Sequence, residues 1–152
     1  MLNDEIRNLK EKWQNILGLE EWDITLNILS EDDFNKLIFR YNLNERTLAC
    51  MSMSLDQYSD LENNTNGFVI IPFDHKRATI TLKEEINDCE YHLVHELVHI
   101  LLSDYHYILK GITRINGHYE EWRSLEVKWL ERIVINIAKS LVNMKTNCFS
   151  MS

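Results

Sequence analysis

One ten-residue stretch constrains this chain more than any other: Leu93-Val94-His95-Glu96-Leu97-Val98-His99-Ile100-Leu101-Leu102. Its aliphatic residues fall on more than one side of a helical wheel, so a helix here must be largely buried. Burying two imidazoles and a carboxylate without partners is costly. Whatever this chain folds into must therefore bring partners to His95, Glu96 and His99.

The spacing suggests what those partners do. Residues four apart sit one above the other on a helix face, with Cβ atoms about 5–6 Å apart. Two imidazoles placed so can converge on one metal ion, at Zn–N distances of about 2.0–2.1 Å. Glu96 is rotated about 100° from His95 around the axis, flanking such an ion without binding it. That position suits a general base acting on a metal-bound water, as in HExxH helices.

A catalytic zinc needs a third protein ligand and an open fourth position. The arrangement with Gly three and His six residues after the second histidine fails, because Leu102 and Tyr105 stand there. His106 is about 10 Å further along a straight helix, and reaches the metal only if the helix breaks first. His92, one turn before His95, reads as a supporting residue rather than a ligand. A carboxylate from the next helix remains, as in His₂Glu sites. The candidates are Glu120, Glu121, Glu126 and Glu131. The first two read as ordinary acids of a helix first turn. Glu126 and Glu131 lie among apolar residues, and the neighbourhood of Glu131 is the more apolar.

Around this helix the periodicity predicts an α+β domain. Leu2, Ile6, Leu9, Trp13, Ile16 and Leu17 predict an amphipathic helix stopped by Gly18. Alternation predicts strands over 22–28 and 49–55, and β-branched or aliphatic runs predict two more over 68–71 and 78–82. The stretch 30–45 suggests a short helix. The polar run 59–67, ending in Asn-Gly, reads as a long loop. Asn87 with Glu90 reads as a capping box opening the His95 helix. A longer helix is expected from near 118 to about 144. The plan is an N-terminal helix, a small mixed sheet of about four strands, and two helices.

Composition limits the function classes. The 152 residues fit a single domain, 1–152. The apolar share of 45% excludes a disordered chain. No apolar run approaches the ~20 residues of a membrane span. Neither a secretory leader nor paired cysteines are seen, so the cytoplasm is the expected compartment. A net charge of -8, with no basic cluster stronger than His75-Lys76-Arg77, argues against nucleic acid as a partner.

The chain resembles the small HExxH zinc metallopeptidase-like proteins of phages and prophages, in the gluzincin branch of the zincins. The matching pieces are Leu17-Gly18-Leu19 followed by Trp22-Asp23-Ile24, the strand Ala78-Thr79-Ile80-Thr81-Leu82, the motif His95–His99, and Glu131-Arg132-Ile133-Val134-Ile135-Asn136-Ile137-Ala138. The resemblance implies a minimal zincin-like domain holding one Zn2+ through His95, His99 and Glu131, with Glu126 as the alternative third ligand. It implies a metallopeptidase in which Glu96 activates the water. The alternative is a non-catalytic zinc-containing binding or regulatory module. It further implies a peptide or protein substrate lying along an edge strand, with 78–82 the candidate. A Tyr or His near the metal would steady the oxyanion, and Tyr105, Tyr107, His118 and Tyr119 are the candidates.

Overall fold

The computed structural model describes residues 3–42, 66–71, 76–115, 117 and 119–150. The N-terminal helix α1 spans Asn3–Ile16 and buries Ile6 and Trp13. It ends in a Schellman arrangement. Gly18 takes a φ of 70°, Leu19 N donates to Gln14 O at 2.9 Å, and Gly18 N donates to Asn15 O at 3.1 Å. The Gln14 amide then donates to the carbonyls of Leu19 and Trp22. That clamp directs the chain into β1, Asp23–Leu29.

The segment 30–45, expected as a short helix, forms α2 over Glu31–Asn42. Ser30 Oγ accepts from Asp33 N at 3.2 Å, a capping interaction at its start. Strands β2, Gly67–Ile70, and β3, Arg77–Lys83, complete a three-stranded sheet in the order β1-β3-β2. β1 runs parallel to β3, and β2 runs antiparallel to it. The sheet is mixed, as expected, with three strands among the described residues. The strand expected over 49–55 and most of the loop over 59–67 lie outside them.

The sheet order corrects one expectation. The strand over 78–82 is not an edge: β3 is hydrogen-bonded on both sides. Its burial agrees with that place. Ala78, Ile80, Thr81 and Leu82 are all buried, as a central strand covered on both faces requires. On one face Ile24, Leu26, Val69, Ala78, Ile80 and Leu82 join the main core. On the other, Phe68 and Ile70 pack with Phe34 and Ile38 of α2 in a smaller cluster.

Three further helices follow: α3 over Cys89–Leu101, α4 over Ser103–Ile115 and α5 over Tyr119–Ser150. The capping box does not form. Asp88 precedes α3 in a left-handed conformation and makes no side-chain cap bond. The Glu90 carboxylate instead accepts from the Trp13 indole at 2.8 Å, joining α1 to the start of α3. Helix α4 was not anticipated. Its exposed apolar residues Tyr105, Ile108, Ile112 and Ile115 do recur at helical spacing. No helix among the described residues is long and apolar enough to cross a membrane.

Gly67 makes the closest approach in the sheet. A Cβ there would collide with the Leu82 side chain and lie 3.1 Å from the Thr81 carbonyl oxygen. Leu82 is fully buried and has little room to yield. Gly67→Ala is therefore expected to destabilise the protein by about 1–3 kcal/mol, the usual cost of overpacking. A urea unfolding midpoint equal to that of the unaltered protein would contradict this close packing.

Candidate metal centre

Helix α3 supplies most of the site because its sequence makes it the hub of the core. Leu93, Val94, Leu97, Val98 and Ile100 are fully or almost fully buried, and they fix the rotation of the helix about its axis. That rotation turns His95 and His99 toward α5. On α5, Val134 and Ala138 are fully buried. Glu131 lies three and seven residues before them, on the same helical face. Packing of Val134 and Ala138 thus delivers the Glu131 carboxylate to the imidazole pair.

The contacts are short. Glu131 Oε1 lies 2.8 Å from His99 Nε2, and Glu131 Oε2 lies 3.5 Å from His95 Nε2. One ligand atom from each of the three residues falls within 4.8 Å of the others, the only such acidic, histidine or cysteine cluster among the described residues. The donor set of two imidazole nitrogens and a carboxylate oxygen is one that zinc takes. Tetrahedral ligands at about 2.0–2.1 Å from zinc stand roughly 3.4 Å apart, and the two observed separations bracket that value. The residues therefore fit a metal ion of this kind.

Burial and charge set the protonation of the group. Burial disfavours the Glu131 carboxylate, but hydrogen bonds from both imidazoles outweigh it and hold its pKa well below the ordinary carboxylate range. Burial likewise opposes a charged His95. The hydrogen bond to Glu131, with the charges of Glu96 and Glu131, overrides it and raises the His95 pKa. Glu96 is 7% exposed. Burial pushes its pKa up, against the pull of His99 and His95 and with the push of Glu131. A carboxyl group shifted toward neutrality is a better proton acceptor than an ordinary one.

The other expected residues divide. His92 stands apart from the cluster and is half-buried, with its Nε2 3.4 Å from the Asn66 amide nitrogen. Helix α3 does end at Leu102, and the chain restarts as α4 at Ser103, whose hydroxyl donates to Ile100 O at 2.7 Å. The side chains of His106, His118, Tyr119, Glu120, Glu121 and Glu126 lie outside the described residues. Tyr105 is 70% exposed on α4, and Tyr107 is also exposed there.

The residue that sequence reasoning missed is Tyr91. Its ring lies 6.0 Å from that of His95, steeply inclined to it. Burial raises its pKa, and the charges of Glu131 and Glu96 raise it further, so the phenol stays protonated. The signal was present: 91, 95 and 99 recur every four residues, on one face.

No family model, curated protein or solved structure matches the chain.

The protonation pattern has a testable sign in the chelator-treated protein. A raised His95 pKa contributes stability below its ordinary value of 6.5, lost as pH rises through the folded value. A lowered Glu131 pKa contributes stability above its ordinary value of 4.5, lost as pH falls through the folded value. Both contributions are present between those ordinary values. Glu131→Gln should therefore cost most there, about 1–3 kcal/mol for charge-assisted hydrogen bonds. The deficit should shrink toward lower and higher pH. Denaturant titrations across that range check this, and a deficit independent of pH would contradict it.

Proposed function

We propose that this chain is a zinc-dependent metallopeptidase of the zincin type, in the gluzincin manner. His95, His99 and Glu131 hold one Zn2+, and Glu96 is the general base. The observation that carries the reading is the meeting of Glu131, thirty-two residues downstream of His99 in sequence, with both imidazoles of the HExxH pair. A chance HExxH on a surface helix has no reason to be met by a partly buried carboxylate from a separate helix.

When bound, zinc supplies Lewis acidity, polarising a substrate carbonyl and lowering the pKa of a coordinated water toward about 7. The remaining work falls to the chain. Glu96 accepts the proton of the attacking water as the new C–O bond forms at the peptide carbonyl carbon. It then returns that proton to the departing amine nitrogen as the C–N bond breaks. Burial suits Glu96 to both steps, because its raised pKa narrows the gap between holding and releasing a proton. Its neighbours hold the metal, so it need not bind the ion itself.

The substrate is a peptide or protein segment in extended form, the shape that adds to a sheet through main-chain hydrogen bonds. With β3 paired on both sides, that role passes to an outer strand. The outer strand β1 is engaged by α1, where Lys10 Nζ donates to the Ile24 carbonyl at 3.0 Å. Strand β2 closes the other end of the sheet among the described residues, and Asn66 just before it approaches His92 of α3. We place the substrate on that side, and the protein in the cytoplasm.

One experiment tests the reading: zinc content and peptide-library cleavage measured in parallel for four proteins. The unaltered protein should carry about one zinc and cleave. Glu96→Gln keeps the size and most hydrogen bonding of the side chain but not its basicity. It should retain the metal and lose cleavage by at least about a hundredfold. Glu131→Gln should lose most of its zinc, and Glu126→Gln should keep it. Undiminished zinc in Glu131→Gln would reject the ligand set. Full cleavage by Glu96→Gln would reject the mechanism. A metal closed by four protein ligands would leave the non-catalytic zinc module in its place.

A further inference from the structure

His95 is the less constrained of the two imidazoles. Its contact with Glu131 is the longer, 3.5 Å against 2.8 Å. It is also only partly buried, whereas His99 is buried. A histidine that binds metal through one ring nitrogen is usually oriented by a hydrogen bond to the other. Among the described residues, no such bond reaches the second ring nitrogen of His95.

The neighbour in place is Tyr91. Its ring meets the His95 ring at 6.0 Å between centroids and an angle of 64°, within the range of favourable edge-to-face pairs. The row continues to His99, whose ring lies 5.0 Å from that of His95. Tyr91 also lies 5.2 Å from the His92 ring, and His92 lies 3.4 Å from the Asn66 amide beside β2. Tyr91 thus packs against both His92 and His95 on α3. One helical turn separates Tyr91 from His95, so the backbone of α3 sets their spacing.

We propose that Tyr91 is a positioning residue of the metal centre, its ring holding the His95 imidazole in the orientation that meets Glu131. The proposal rests on the metal-site reading above. It assigns the role to the aromatic ring and not to the phenol oxygen, and that distinction makes it testable.

The experiment is a competitive zinc titration against a chromophoric chelator, with cobalt(II) spectra recorded on the same proteins. Tyr91→Phe keeps the ring and should match the unaltered protein in both. Tyr91→Leu removes it and should weaken zinc binding roughly three- to tenfold, the scale of an aromatic pair. Its cobalt ligand-field bands should shift, a change that loss of packing away from the metal would not produce. Tyr91→Met serves if the leucine variant does not fold, with the same expectation. Wild-type affinity and an unshifted cobalt spectrum in the ring-less variants would overturn the proposal. Equal weakening by Tyr91→Phe would overturn it too, by assigning the effect to the hydroxyl. Failure of the unaltered protein to bind zinc at all would overturn the metal-site reading and this proposal together, and is seen before any variant is compared.

Discussion

The structure depends on the packing of α3 against α5 around a largely buried polar group. Two imidazoles and a carboxylate meet inside an otherwise aliphatic interface. Each large aliphatic side chain buried there contributes roughly 1.5–3 kcal/mol. An ionised carboxylate left alone in the same place costs several kcal/mol, enough to cancel more than one of them. The interface is tolerable only because Glu131 reaches both His95 and His99. The apolar contacts set the position of the helices, and the polar contacts make that position the favourable one.

The rest of the fold holds α3 in place. The central strand β3 presents Ala78, Ile80 and Leu82 to the main core, and β2 adds Val69. Helix α1 comes in from the side, its Trp13 buried and its indole bonded to Glu90 at the start of α3. The turn at Gly18 and the Gln14 clamp fix how α1 leads into β1. On the far face, α2 seals the sheet with Phe34 and Ile38 over Phe68 and Ile70. The ring pair Phe34 and Phe68 stands 5.5 Å apart, tilted by 60°. The face toward α3 and the face toward α2 are thus served by alternate residues of one short strand, Val69 on one side and Phe68 and Ile70 on the other.

Where a single local pattern dominated, sequence was a good guide. The apolar spacing of α1 and α3, the alternation in β1 and the β-branched run of β3 each marked the right element. So did the His95–His99 spacing, because helix geometry alone places residues four apart together. Pairing between strands was less legible. Residues 78–82 look the same in composition whether central or outer, and only the sheet order separates the two. The start of α3 misled for a related reason: Asn87 and Glu90 have capping chemistry, but Glu90 is taken by Trp13, seventy-seven residues away. On helix α4, Tyr105, Ile108, Ile112 and Ile115 are exposed to solvent, so their periodicity marks no core. Among four candidate acids, apolar neighbours favoured Glu131 over the others, and resemblance made it the third ligand. Its reach depends on the burial of Val134 and Ala138, which spacing hints at but does not establish. Tyr91 shares the four-residue spacing of His95 and His99, but spacing alone does not separate a ring that packs on His95 from one that faces elsewhere.

The central claim is that α3 and α5 share one metal ion through His95, His99 and Glu131. Anomalous diffraction at the zinc edge, from crystals of protein purified without chelator and without a histidine tag, tests it most directly. One peak is expected per chain, within about 2.0–2.2 Å of a nitrogen from each histidine and an oxygen of Glu131, with a fourth position open to solvent. A peak ligated by a different carboxylate, or by cysteine, or absent while Glu131 remains hydrogen-bonded to both imidazoles, would contradict it.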